Sequence, residues 1–199
     1  SRYHITDPVV SSLKNMSTDS IDLLLIHRQN SFMDHNETVR ALDELVSSGN
    51  VSVVAISNFK PWYFNLLQSG MNTQLVTNQI ELSLSTNDAF TNGDLAFHQE
   101  RATPVMAWSP LAGGKLMTDK GSLGRVIDKT ATKKNVDRAA VAVAWLLAHP
   151  AKICPVMVTN NLDRIVKISD AMSFTMDLEL WFELYTATFN TGEMPWRLP

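Results

Sequence analysis

Hydrophobic residues occur along this chain in two alternating patterns, short unbroken runs and helical stripes. Unbroken apolar runs of about four to eight residues favour strands that are buried on both faces. We predict strands at residues 21–27, 51–56, 75–82, 104–108 and 153–158, the third of which contains the polar segment 77–79. Stripes with a helical period favour helices near residues 7–16, 36–48, 61–69, 93–101, 122–134, 137–149, 162–172 and 177–190. The predicted order is therefore α-β-α-β-α-β-α-β-α-α-β-α-α.

Capping residues set the predicted helix boundaries. Asp7 followed by Pro8 predicts the start of the first helix, and Asn36 is the predicted cap of the second. Gly49 predicts the end of that second helix. Residues 109–115 contain one proline and two glycines, so we expect an irregular loop there.

The alternation of strands and helices indicates an α/β fold. Strict alternation calls for a parallel sheet with right-handed crossovers. Two architectures satisfy it, an open doubly wound sheet and a segment of a (β/α)₈ barrel. No Gly-x-Gly-x-x-Gly sequence occurs, which removes one argument for the open sheet. The pattern by itself leaves both architectures open.

Composition and charge narrow the class of protein. The chain has 199 residues, 45% of them hydrophobic, and a formal charge of -3, so neither nucleic acid nor an anionic membrane is expected as its main partner. The single Cys154 excludes an internal disulfide and favours a reducing cytoplasm. No apolar run reaches the ~18 residues that a membrane helix needs. The chain begins with Ser1 rather than Met, so we expect further residues upstream.

Polar or aromatic side chains stand at one end of every predicted strand. They are His27, Ser57, Asn58, Gln79, Trp108, Thr159 and Arg164. Amide and hydroxyl groups can pair with an amide ligand, Trp can stack on a flat ring, and Thr with Arg can hold a phosphate. Because parallel strands present their C-terminal ends at one edge, we expect a ligand site there.

Several of these residues also have a purely structural interpretation. Ser57 and Asn58 fit a turn that caps the following helix. Thr159, together with Asn160 or Asn161, fits a cap of the helix near residue 162. The presence of such groups on all five predicted strands favours the ligand site.

Four segments carry a resemblance to a known family. They read Ile-Asp-Leu-Leu-Leu-Ile-His-Arg at 21–28, Ala-Ile-Ser-Asn-Phe at 55–59, Thr-Asn-Gln-Ile-Glu at 77–81 and Met-Ala-Trp-Ser-Pro-Leu-Ala-Gly-Gly at 106–114. In order and spacing the chain resembles the aldo-keto reductases, most closely their bacterial YdhF-like branch. That family is a (β/α)₈ barrel of the TIM type that binds NADPH without a Rossmann domain. The resemblance implies one domain over residues 1–199, an incomplete barrel that supplies about strands 4–8 and lacks strands 1–3.

The resemblance implies catalytic and nicotinamide-binding roles in a reductase of aldehydes and ketones. His27 corresponds to the histidine of the catalytic tetrad, which orients and polarises the carbonyl of a small-molecule substrate. Ser57, Asn58 and Gln79 correspond to residues that hold the nicotinamide carboxamide. Trp108 corresponds to a residue that stacks on the nicotinamide ring.

The resemblance also implies phosphate-binding roles. Ser109, Leu111 and Gly113 fall in the loop that covers the pyrophosphate, where small residues let the backbone approach closely. Thr159 and Arg164 match positions that contact the 2′-phosphate of NADPH. The chain departs from the family at Val158, where relatives often carry Gly or Lys.

The remaining members of the family tetrad, an Asp, a Tyr and a Lys, are expected ahead of residue 1. None of the three tyrosines fits the proton donor, because Tyr3 precedes the first predicted helix, Tyr63 follows a helix start and Tyr185 lies on a helix face. We therefore predict that the 199 residues alone do not reduce a carbonyl.

Two other functions compete with the reductase. The chain is alternatively a non-catalytic remnant or nucleotide-binding module of the same fold. A metal-dependent hydrolase on a barrel is disfavoured, because His27, His35 and His98 lack the spacing of metal ligands. The physiological substrate and the oligomeric state are not determined by these patterns.

Overall fold

The computed structural model describes residues 3–189. The chain divides after Ile80 into two compact units. The first unit contains three helices, α1 (Tyr3–Met16), α2 (His35–Ser47) and α3 (Pro61–Gln68). Its strands are β1 (Ile21–Ile26), β2 (Val51–Ser57) and β3 (Leu75–Glu81). β1 pairs with β2 and β2 pairs with β3, both in parallel. The predicted parallel sheet is thus confirmed for these strands.

The second unit contains five helices and two strands among its described residues. The helices are α4 (Asp94–Glu100), α5 (Ser122–Lys134), α6 (Arg138–Leu147), α7 (Leu162–Ser169) and α8 (Leu178–Thr186). The strands are β4 (Val105–Trp108) and β5 (Cys154–Pro155), which are parallel. Short 3₁₀ segments lie at Asp88–Phe90, Ala112–Met117 and Asp170–Met172.

Helices α6 and α8 of the second unit contact each other through a pair of tryptophans. The rings of Trp145 and Trp181 stack with centroids 4.9 Å apart. Each indole N–H donates to the backbone carbonyl of the other residue, at 3.1 Å and 3.0 Å. Both side chains are buried, so their polar edges need these partners. Both tryptophans are therefore core residues of this unit.

Two predicted helix starts are wrong. Helix α1 begins at Tyr3, and Pro8 lies inside it rather than at its first position. Pro8 is the sixth residue of α1, so its missing N–H leaves the helix without the hydrogen bond to the carbonyl of His4. The cap of α2 is Asp34, whose Oδ1 accepts from the backbone N–H groups of Asn36 and Glu37 at 2.9 Å and 3.2 Å. Both Asp and Asn are good N-cap residues, and in the structure the helix begins after the earlier of the two, Asp34.

The fifth strand is much shorter than its apolar run predicts. Met106 and Ala107 of β4 pair with Cys154 and Pro155, and the N–H of Val156 still donates to the carbonyl of Ala107 at 2.9 Å. β4 ends soon after, so the later residues of the run have no partner on it. None of the helices in the described part combines the length and apolar character that a membrane crossing requires.

Candidate active site

His27 follows directly after strand β1, whose residues are half-buried apart from the exposed Asp22, so the expected burial of this strand on both faces is wrong. The register of the sheet pairs Ile26 with Ile56, so the residue after each strand emerges at the same edge. The His27 side chain is exposed, and its backbone carbonyl accepts from Nδ2 of Asn58 at 3.4 Å. The alternation of strand and loop thus places an imidazole at the carboxyl end of this strand, as the sequence predicts.

Ser57, Asn58 and Gln79 form a hydrogen-bonded group at the adjacent strand ends. Ser57 is the last residue of β2 and is opposite Gln79 of β3. The buried Ser57 hydroxyl donates to the Gln79 carbonyl at 3.0 Å and accepts from Nδ2 of Asn58 at 3.0 Å. The backbone N–H of Asn58 donates to the same carbonyl at 2.8 Å. Together with His27, these residues lie in one continuous network of the first unit.

The backbone at Asn58 has a left-handed conformation. Its φ is 60°, a region that Asn tolerates better than most residues. The turn directs the chain away from β2 just before α3, whose N-cap residue is Lys60. Asn58 therefore serves the geometry of the turn as well as its side-chain contacts.

Asn78 is not among the predicted site residues, yet its side chain stabilises this turn by bonding to the backbone of Phe59. Its Oδ1 accepts from the N–H of Phe59 at 3.4 Å, and its Nδ2 donates to the carbonyl of Phe59 at 2.7 Å. Asn78 is 1% exposed, so both contacts are protected from water. The alternation of side chains along a strand could have identified Asn78, because it puts this residue on the face of β3 opposite to Gln79.

In the second unit, the loop after β4 is folded by its own backbone. The Ser109 hydroxyl accepts from the N–H of Gly113 at 2.9 Å. Ser109 and Gly113 have positive φ values of 55° and 62°. Leu111 packs against the core formed by Ala140 and Val143 of α6. The half-buried Trp108, at the end of β4, precedes this anchored loop.

The expectation that residues 109–115 are wholly irregular is wrong. The stretch Ala112–Met117 is a 3₁₀ segment with a kink at Gly113 and Gly114. Both glycines have positive φ, and a Cβ at either position would meet nothing within 4 Å. The glycines therefore permit a bend in the segment and leave open space beside the backbone.

Thr159 and Arg164 lie at the start of α7, where the structural interpretation also applies. The Thr159 hydroxyl accepts from the N–H of Asn161 at 3.2 Å. The Asn161 side chain accepts from the N–H of Arg164 at 3.1 Å, so Asn161 is the cap of this helix. The Arg164 side chain is exposed, and its guanidinium has no partner within residues 3–189. A capped helix start with a cation beside it remains able to receive a phosphate.

The pKa of Tyr185 bears on the search for a proton donor. Burial of its ring raises the pKa above the usual value, and the carboxylate of Asp88 raises it further. A catalytic tyrosine needs the opposite shift, because a lowered pKa brings the proton closer to the working pH. The raised pKa of Tyr185 thus agrees with the sequence-based inference that this residue is not the proton donor.

Comparison with known proteins decides the family. The sequence profile of the Aldo/keto reductase family matches residues 1–184. The chain belongs to the aldo-keto reductase family. The resemblance stated from the strand-end segments is confirmed.

Two curated aldo-keto reductase relatives illustrate the match. The 6-dehydroglucose reductase of Agrobacterium fabrum is 54% identical over 184 residues, covering 92% of this chain and 62% of that protein. The oxidoreductase YdhF of Escherichia coli is 33% identical over 195 residues, covering 95% of this chain and 64% of that protein. The chain thus spans less than two thirds of the length of these relatives.

Solved aldo-keto reductases share the fold. The thermostable enzyme Tm1743, solved with epalrestat, has a TM-score of 0.84 at 23% identity and covers 90% of this chain and 64% of its own. An aldo/keto reductase from Klebsiella pneumoniae, solved with NADP and acetate, has a TM-score of 0.78 at 24% identity, with coverages of 88% and 62%. An α/β fold with a parallel sheet is therefore common to all three.

Proposed function

We propose that this chain takes part in the NADPH-dependent reduction of an aldehyde or ketone to an alcohol. The network of His27, Ser57, Asn58 and Gln79 at the strand ends of the first unit carries the proposal. In a member of the aldo-keto reductase family, such a group at the carboxyl ends of strands is suited to a cofactor and a carbonyl.

The first unit offers groups that fit the nicotinamide carboxamide. The Ser57 hydroxyl already donates to a carbonyl and accepts one hydrogen bond, so one lone pair remains for a ligand N–H. The Gln79 side-chain amide has no hydrogen-bond partner within residues 3–189 and can both donate and accept. Asn58 adds a second side-chain amide next to them. A carboxamide, which has one acceptor and two donors, matches this set.

The second unit offers groups that fit the rest of the cofactor. The aromatic face of Trp108 is suited to stacking on the nicotinamide ring. Ser109, Leu111 and Gly113 form the anchored loop, and the open space beside Gly113 lets the backbone approach a pyrophosphate closely. Thr159 and the exposed guanidinium of Arg164 suit the 2′-phosphate that distinguishes NADPH from NADH.

The bound cofactor would supply a hydride. The residues of this chain would orient it and would hold the substrate carbonyl, with the exposed imidazole of His27 donating a hydrogen bond to the carbonyl oxygen. Such a hydrogen bond stabilises the negative charge that develops on the oxygen during reduction.

A sugar-derived carbonyl is the substrate class that the relatives support. A protein that is 54% identical to this chain is named a 6-dehydroglucose reductase. We also propose that residues 1–199 act as one domain, since the family profile runs without interruption over residues 1–184. A cytoplasmic setting is proposed from the single cysteine.

Cofactor binding tests the proposed function directly. Isothermal titration of NADPH into the 199-residue chain should give binding, and Gln79→Leu should weaken it roughly three- to tenfold, the effect of one lost hydrogen bond. Gln74→Leu is the matched control, because Gln74 is exposed just before β3, and it should leave the affinity unchanged.

Two results would contradict the proposal. Wild-type chain that gives no heat with NADPH while its far-UV spectrum shows a folded protein would exclude the cofactor site. Equal losses from both glutamine variants would exclude the assignment of Gln79. Binding without any turnover in a completed protein would instead support the non-catalytic module.

A further inference from the structure

A cavity in the second unit is lined by polar and apolar groups alike and contains none of the residues assigned to the site described above, although it borders the 3₁₀ segment that includes Gly113. Its volume is about 350 Å³, within the range of about 300–1,000 Å³ typical of small-molecule pockets. Its walls come from the segment after the 109–114 loop, from the end of α8 and from the turn after β3. The side chains that line it include Ser85, Lys115, Leu116, Asp119, Ser122 and Thr188.

Arg138 holds one wall of the cavity in place. Its guanidinium donates to the backbone carbonyls of Leu116, Asp119 and Gly124 at 2.9, 2.8 and 3.0 Å. It also forms a bidentate pair with the Asp128 carboxylate, at 2.6 and 3.0 Å. The Arg138 side chain is only 13% exposed, so water competes little for these bonds. A single side chain therefore fixes the backbone of two lining residues.

Local packing makes the same wall rigid. The Asp119 carboxylate accepts from the N–H of Gly121 at 2.8 Å, which closes a tight turn. A Cβ at Gly124 would collide with the backbone carbonyl of Asp119, so only glycine permits this approach. A preorganised wall reduces the entropy lost when a ligand binds.

The lining groups show which ligand chemistry fits. Among residues 3–189, Lys115 Nζ and the hydroxyls of Ser85 and Ser122 have no hydrogen-bond partner. The Thr188 hydroxyl is oriented by a bond from Asn87 at 3.1 Å and one to the carbonyl of Tyr185 at 2.7 Å. The second lone pair of this hydroxyl oxygen can accept a hydrogen bond from a ligand.

The charged side chains in the cavity disfavour simple ions and apolar molecules as ligands. Asp119 disfavours an anion, Lys115 disfavours a cation, and an apolar molecule would leave the Lys115 ammonium without a polar partner in the cavity. A hydroxyl group can donate to Asp119 and accept from Lys115. We propose that this cavity is a binding site for a neutral polyhydroxylated molecule of about the size of one hexose. The inference concerns the second unit alone and holds whether or not the chain binds NADPH.

D-glucose is the probe for this site. Titration of glucose into the ¹⁵N-labelled chain should shift backbone signals of residues 115–123, and saturation-transfer NMR should detect the bound sugar. Lys115→Met should weaken binding about tenfold, because it removes a charged hydrogen-bond donor. Lys120→Met removes the same charge from a residue outside the lining and should leave the affinity unchanged.

Competition separates this proposal from other ligand classes. myo-Inositol should displace glucose, whereas inorganic phosphate and cyclohexane carrying a single hydroxyl should not. Displacement by phosphate would show an anion site, and absence of any glucose signal would show no site, so either result overturns the proposal. Equal losses from the two lysine variants would overturn it as well. Since both lysines are surface residues outside the core, neither change is expected to prevent folding.

Discussion

At the scale of single residues, burial changes the chemistry of His98 more than any sequence pattern indicates. His98 of α4 is 1% exposed. Its pKa is lowered from 6.5 to about 4, mainly by burial; the charge of Asp94 opposes this shift and that of Arg101 adds to it. Its imidazole is thus neutral in the folded protein throughout the mildly acidic range.

The pH dependence of stability follows from this shift. Below pH 6.5 the unfolded chain binds a proton on His98 that the folded chain binds only near pH 4, so the free energy of unfolding falls as the pH falls through this window. The full effect is about 3 kcal/mol, from about 1.4 kcal/mol for each pKa unit. We expect urea unfolding of the wild type to show this loss.

His98→Leu should reduce the slope of stability against pH between pH 6.5 and 4. His149, whose pKa is also lowered by burial, should retain part of the slope. The difference between variant and wild type at pH 8 measures the packing change alone, because both histidines are neutral there. An unchanged slope in the variant would show that His98 does not cause the pH dependence.

At the scale of elements, helix ends were the least predictable features. Hydrophobic stripes predict where α2 lies, but two capping residues, Asp34 and Asn36, compete for its start. The structure selects Asp34, whose carboxylate accepts two backbone N–H bonds. Asn36 provides one of those N–H groups and lies within the first turn.

The cap assignment predicts different effects of two similar substitutions. Asp34→Ala should lower the free energy of unfolding by about 1 kcal/mol, because it leaves N–H groups at the start of α2 without an acceptor. Asn36→Ala should change it by less than about 0.5 kcal/mol. Urea titration followed by circular dichroism measures both, and a larger loss for Asn36→Ala would reverse the assignment.

At the scale of the whole molecule, the question is whether 199 residues suffice for turnover. Carbonyl reduction needs a proton as well as a hydride. Tyr3 is 71% exposed on α1, Tyr63 lies on α3, and Tyr185 has a raised pKa. None of them stands at the end of a strand, where His27 lies.

We therefore expect no turnover when NADPH and a reactive aldehyde are mixed with this chain. Steady-state absorbance of the reduced cofactor is the measurement, and a full-length aldo-keto reductase of known activity on the same aldehyde is the positive control. Turnover at a rate comparable to the control would prove this prediction wrong.

The alternation of strands and helices, the parallel pairing and the residues at the strand ends were all predictable from local sequence. These features follow from local periodicity, because each apolar run or stripe has one stable place in an α/β fold. His27 and Ser57 were predicted in this way, and both lie at strand ends in the structure.

The hydrogen-bond partner of each polar group depends on long-range packing and was not predictable from local sequence. Asn78 bracing Phe59, Arg138 holding three carbonyls, and the early end of β5 all depend on residues distant in the chain. Several partners are locally acceptable for an amide or a guanidinium, and packing selects among them by excluding water from one arrangement. Local sequence contains the candidates for these contacts but not the geometry that chooses between them.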